Sequence, residues 1–183
     1  MARKKTSRKS KPDKRKPIKA KSKAKPRAKA RKVAPIPRGY HSVTPYLSVR
    51  GAAAAIEFYK KVFGAKEKMR MPEGNRIGHA EIVIGESHVM LADEYPERNI
   101  NAPQPGSSPP VGIMLYLKDV DAATARAVAE GATLERPVAD QFYGDRLGSI
   151  IDPFGHRWYI STHMEDVSPK EMERRMQAMG QPQ

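Results

Sequence analysis

The stretch SVTPYLSV, from Ser42, alternates apolar and polar side chains and is rich in β-formers. It predicts a strand, with Pro45 marking an edge or a locally interrupted ladder. GAAAAIEFYKKVFG follows and places Ile56, Tyr59, Val62 and Phe63 on one face, so it reads as an amphipathic helix ended by Gly64. KEKMRMP, IGHAEIVIG and SHVMLADE then read as three short strands separated by turn residues. After a proline-rich stretch the same order returns: VGIMLYLKD, the helix DAATARAVAEG, and strands near TLERPVAD, RLGSIID and HRWYISTH. Asp119 or Asp121 is positioned to cap the second helix and Gly131 to end it.

The return has a fixed spacing of 70 residues: Tyr46-Leu47 answers Tyr116-Leu117, Arg76-Ile77-Gly78 answers Arg146-Leu147-Gly148, and Gly85 answers Gly155. Several matches at one offset and in one order mark two copies of a module. The expected architecture is α+β: two βαβββ modules joined edge to edge into a curved mixed sheet around a cleft, with helices on the outer face. Module one covers 37–95, the linker 96–110 and module two 111–165, within a domain ending near 176; a helix and tail occupy 166–183. NINAPQPGSSPP, with four prolines and one glycine, marks the linker.

Charge changes the picture at one end only. The formal net charge is +14, yet residues 1–32 hold 17 Lys and Arg against the single acid Asp13, and the remainder carries a net −2. Such a segment buries too little apolar surface to offset the entropy of ordering, so residues 1–36 are expected to be a disordered lysine-rich tail. Its composition resembles linker-histone tails. That implies salt-sensitive, non-specific binding of nucleic acid or another polyanion through residues 1–32, without base readout. A solvated tail without a specific partner, a transit peptide and an upstream-extended gene start are the competing readings.

The chain has no cysteine, which removes disulfides and thiolate metal sites. It has no apolar run of about 18 residues, so no membrane span is expected, and the predicted location is cytoplasmic, with the tail allowing nucleoid association. No glycine-rich nucleotide turn follows a strand, so no S-adenosylmethionine use is expected.

Candidate chemistry is sparse. His79 and Glu81 share one strand face and form a candidate base and orienting partner, or simply an exposed polar pair. Asp93 and Glu94 sit where a strand meets a loop and point to opposite faces, which disfavours a joint site. Tyr143, Asp145 and Arg146 occupy a turn, where the last two either pair with each other or contact a ligand. In DPFGHRWYISTH, Asp152 to Gly155 reads as a turn, after which Arg157, Tyr159 and Ser161 take one face and Trp158, Ile160 and Thr162 the other. His156 and His163 lie about 23 Å apart at strand rise, too far to share a metal. His156 reads as a structural turn residue.

IEFYKKVFGA, LADE, YGDR and DPFGHRW, in that order, resemble the vicinal oxygen chelate superfamily of glyoxalase I, bleomycin-resistance proteins and extradiol dioxygenases, and most of all its PhnB-like, demethylubiquinone-methyltransferase-like branch. The resemblance implies a cleft in which metal-using members hold a divalent ion. The counterpart positions here are Thr44, Val89, Met114 and Tyr159, none of them His, Glu or Gln. Hence no glyoxalase-type metal and no cofactor are expected. The implied protein is a homodimer binding a small organic molecule at Thr44, Tyr46, Leu91, Met114, Tyr116, Tyr143, Tyr159 and Ser161. The alternative is a metal-dependent lyase, isomerase or dioxygenase with non-standard ligands drawn from His79, Glu81 and His88.

Overall fold

The computed structural model describes residues 33–179, and the expected tail at 1–36 lies outside the described residues except for its last four positions. The first module runs β1 (Tyr46–Val49), α1 (Ala52–Phe63), β2 (Lys66–Glu73), β3 (Arg76–Ile84) and β4 (Ser87–Asp93). A short 3₁₀ turn at Pro96–Arg98 opens the connection. The second module runs β5 (Gly112–Tyr116), α2 (Val120–Ala129), β6 (Thr133–Asp140), β7 (Asp145–Ile151) and β8 (Arg157–His163), and α3 (Pro169–Met179) follows.

Each module is one four-stranded sheet, ordered β1-β4-β3-β2 and β5-β8-β7-β6, with the first strand parallel to the last and the others antiparallel. The α+β class and the doubled βαβββ order are therefore as expected. The two sheets are not joined into one ladder. The β1 and β5 edges instead flank a groove of about 750 Å³, lined by Pro45, Tyr46, Ser48, Val111, Ile113 and His156 among others. Proline supplies no donor to a ladder, and Pro45, Pro109 and Pro110 all line this groove.

The periodicities explain the packing. Leu47 and Val49 of β1, with Ala80, Ile82, Val89 and Leu91 of the strands beyond it, point to the side carrying α1 and are buried. Ala52, Ala55, Ile56, Tyr59, Val62 and Phe63 give α1 its matching apolar stripe. Gly64 ends that helix at φ 67°, its N–H returning to the Lys60 carbonyl at 3.1 Å. Asp119 caps α2 through its carboxylate, which accepts from the Ala122 N–H at 2.9 Å. Ile150, Trp158 and Ile160 meet the two helices from the second sheet, so both modules share one core. Among the described residues no helix is long and apolar enough to cross a membrane.

Candidate functional site

Because side chains alternate along a strand, burying Leu47 and Leu91 turns Tyr46 and Met90 to the opposite, open face. The register sets Tyr46 beside Met90 and Met90 beside Glu81. In the second sheet Met114 lies beside Tyr159 and Tyr159 beside Ser149; Tyr116 lies beside Ser161 and Ser161 beside Leu147. Tyr46, Met114 and Tyr116 are 52%, 47% and 57% exposed. The Tyr159 ring lies against Gly112, where a Cβ would strike it.

Leu91 is a correction. It pairs with Leu47 and is fully buried under α1, as is nearly all of Val89. His88 and Met90 hold the open-face positions of β4, one residue out of step with the Val89 and Leu91 expected there. Thr44 precedes β1 and spends its hydroxyl on the His41 carbonyl at 3.4 Å.

Each open face is organised around a nearly buried carboxylate. On the first, Glu81 accepts a hydrogen bond from Tyr40, and its Oε1 faces His79 Nε2 at 3.4 Å. Tyr46 Oη meets His79 Nδ1 at 3.0 Å. His88 stacks on Tyr40 with ring centroids 4.1 Å apart, and its Nδ1 lies 3.9 Å from Glu81 Oε2. The Tyr40 hydrogen bond is the main reason the Glu81 carboxyl titrates below its usual range, against the opposing pull of burial. Partial burial raises the Tyr46 phenol, so it is neutral at physiological pH.

On the second face Asp145, 5% exposed, accepts from Tyr116 at 2.9 Å and Ser161 at 3.2 Å, and meets His163 Nδ1 at 2.7 Å. Burial pushes the Asp145 carboxyl up, but the bonds from His163, Tyr116 and Ser161 outweigh it and leave the group below its ordinary value. Ser161 is itself fully buried, so its hydroxyl holds Asp145. Tyr143 stands next in the turn, its phenol raised by burial and then by the Asp145 charge. Gly144, at φ 97°, allows this turn to pass against the Glu165 backbone. Of the two alternatives for Asp145 and Arg146, the mutual pair does not form. Neighbours on a strand face opposite ways, and Arg146 binds Asp121 at 2.7 and 2.8 Å and Asp140 at 2.8 Å.

Several other sequence candidates are structural. Asp93 Oδ1 accepts the Gly51 and Ala52 N–H groups at the start of α1, and its Oδ2 accepts from Ile77. Glu94 pairs with Arg50 at 2.8 Å. Asp152 Oδ1 accepts the Phe154 and His156 amides, closing the DPFG turn. His156 lines the groove between the sheets, and burial lowers its pKa despite Asp152 nearby.

Of the four positions that the resemblance implied for a divalent ion, Val89 lies in the core and Thr44, Met114 and Tyr159 offer a hydroxyl, a thioether and a phenol. These do not fit a glyoxalase-type ion. Among the described residues no group of three or more His, Asp or Glu has the spacing to hold a metal.

Residues 39–160 match the Glyoxalase/Bleomycin resistance protein/Dioxygenase superfamily. An uncharacterized protein of Mycobacterium bovis is 37% identical over 143 residues, covering 76% of this chain and 94% of that one. Among solved structures, TioX from Micromonospora sp. ML1 superposes with a TM-score of 0.53 at 25% identity, covering 67% of this chain and 98% of that one. A putative 3-demethylubiquinone-9 3-methyltransferase, the PhnB protein of Bacillus cereus, does so with a TM-score of 0.52 at 16% identity, over 67% and 99%. With its doubled βαβββ modules and this match, the chain belongs to the Glyoxalase/Bleomycin resistance protein/Dioxygenase superfamily.

Proposed function

We propose that this chain is a PhnB-like member that binds a small amphipathic organic molecule on its open sheet faces, without a glyoxalase-type metal, as a homodimer. One observation carries the reading: Tyr46, Met114 and Tyr116 stand about half exposed in rows whose polar tips are oriented by the buried carboxylates of Glu81 and Asp145. Apolar area with a few fixed polar groups is the composition of a small-molecule site. Two such faces on one chain suit closure by a second copy, and the basic segment 1–32 adds a salt-sensitive hold on polyanions.

The test is the metal content of the full chain purified without chelator, its melting temperature with and without EDTA, and then a thermal-shift screen of small aromatic and amphipathic compounds. Metal-free protein, an EDTA-insensitive melt and compounds that raise the melting temperature are expected. Stoichiometric metal with a lower melt on chelation would overturn the reading and direct attention to His79, Glu81 and His88.

A further inference from the structure

The two copies of the module have diverged at the tyrosine they share. Tyr116 gives its hydroxyl directly to the Asp145 carboxylate, whereas Tyr46 meets an imidazole, His79 Nδ1, at 3.0 Å. The far nitrogen of that ring, Nε2, faces Glu81 Oε1 at 3.4 Å. Residue 79 corresponds to Ser149 in the second copy, so this chain of groups occurs in the first module alone.

We propose that Tyr46, His79 and Glu81 form a proton relay that takes the proton of a bound acidic hydroxyl, phenolic or enolic, and holds the ligand as its oxyanion. This rests on the reading of the open face as a small-molecule site and names the ligand class for it. A carboxylate accepts and does not donate, so Glu81 requires a hydrogen on His79 Nε2. In the neutral ring that leaves Nδ1 bare, and Tyr46 must donate to it. The phenol oxygen then keeps a lone pair, and Tyr46 is half exposed in the groove wall, where a ligand can reach it.

The transfer balances without another reactant. The ligand O–H passes its proton to Tyr46 Oη as the Tyr46 proton moves to His79 Nδ1. The products are a ligand oxyanion hydrogen-bonded by a neutral Tyr46 and an imidazolium opposite Glu81. Tyr46 is the group that touches the ligand; His79 stores the proton, and Glu81 is a positioning residue. Tyr40 and His88 also face Glu81, from the segment before β1 and from β4, while Met69, Met71 and Met90 lie beside the relay in the register. A phenol or enol suits the relay because proton transfer is most efficient between groups of similar acidity.

The test uses 4-nitrophenol, whose neutral and ionised forms absorb at different wavelengths, with the full chain. At the pH where the free probe is half ionised, the ratio of ionised to neutral form should be about tenfold or more higher for the bound probe, the equivalent of one pKa unit. His79→Gln, which can still hold the Tyr46 hydroxyl, should bind the probe without that shift, and so should Tyr46→Phe. A bound probe as neutral as the free one, or an equal shift in His79→Gln, would overturn the relay while leaving small-molecule binding intact. Failure of 4-nitrophenol to bind would overturn the ligand class, and hits from the thermal-shift screen would still support the broader site. Without any ligand, ¹⁵N chemical shifts should show His79 protonated at Nε2 and bare at Nδ1; the opposite tautomer would also overturn the relay.

Discussion

Tyr59 of α1 donates its fully buried hydroxyl to Asp152 Oδ2 at 2.7 Å, and the Trp158 indole N–H reaches the same oxygen at 2.8 Å. A helix of the first module and a turn of the second are thus tied to one carboxylate, whose other oxygen closes the turn. Burial, then the Asp152 charge, pushes the Tyr59 phenol far above its ordinary value, so it stays a donor at every accessible pH. Tyr59→Phe removes one bond to a charged acceptor and should cost about 1.5–3 kcal/mol. Asp152→Ala strands four donors at once and should cost at least about 3 kcal/mol, since each unsatisfied buried group costs about 1–3. Urea denaturation at neutral pH measures both; equal, small losses would remove Asp152 as the link between modules.

The misplacement of Leu91 gives a test on β4. Leu91→Ala opens the fully buried side of the sheet and should cost about 2–5 kcal/mol. Met90→Ala, one residue away on the open face and only partly buried, should cost less, about 1 kcal/mol. Thermal melts of the pair decide the parity, and a reversed order would put Leu91 back in the cleft.

Strand parity is conveyed by the sequence only where apolar and polar residues alternate. The 70-residue offset placed Tyr46 and Tyr116 on equivalent strands, because both copies start from the same Tyr-Leu alternation. In β4 that anchor was lacking: Val89, Met90 and Leu91 are all apolar, so alternation alone could not say which faced the core. The separation of the sheets was equally hidden, since edge-to-edge joining depends on how far apart the shared core holds β1 and β5. His79 and Glu81 were legible as a same-face pair. Their contacts with Tyr40 and Tyr46, and that of Asp145 with Tyr116, were not, because they join residues 29–41 positions apart.

The histidines flanking β8 should titrate in opposite directions. His163 is raised above its ordinary value of 6.5, first by Asp145 and then by Asp166, while burial lowers His156. The His163 contribution to stability is fully present below the ordinary histidine value and is lost as pH rises through the folded-state value. His156 has the other sign: its protonation opposes folding, so stability falls as pH drops below about 6.5. Asp145, whose folded value is lowered, adds stability above the ordinary aspartate range that disappears as pH falls through the folded value. NMR titration should find His163 above and His156 below the ordinary value, and Asp145→Asn should bring His163 down while leaving His156 in place.

The polyanion reading assigns all nucleic-acid affinity to the first 32 residues, since the rest of the chain carries a net −2. The full chain should bind duplex DNA of any sequence, with an affinity that falls steeply and linearly on a log–log plot against salt. Removing residues 1–34 should abolish binding at moderate salt and leave the circular dichroism spectrum of the remainder folded. Undiminished binding by the truncated chain would place the contact on the folded domain instead.

A second copy is the remaining expectation, and Met114 is where to challenge it. Its side chain is half exposed at the β5 edge, next to Tyr159 in the register and among the apolar residues of the open face. In a monomer Met114→Lys would place a charge in water at little cost, shifting the melt by no more than a surface substitution does, about 0.5 kcal/mol. In a dimer that covers this face the same lysine would be stripped of water without a partner, which costs several kcal/mol and drives dissociation. Sedimentation of the wild type and Met114→Lys across a range of concentrations separates the cases. A wild-type dimer that becomes monomeric in the variant, with its fold retained, supports closure of the open faces by a second copy. A variant that dimerises as tightly as the wild type would place the interface elsewhere, and a monomeric wild type would leave each open face to bind its ligand alone.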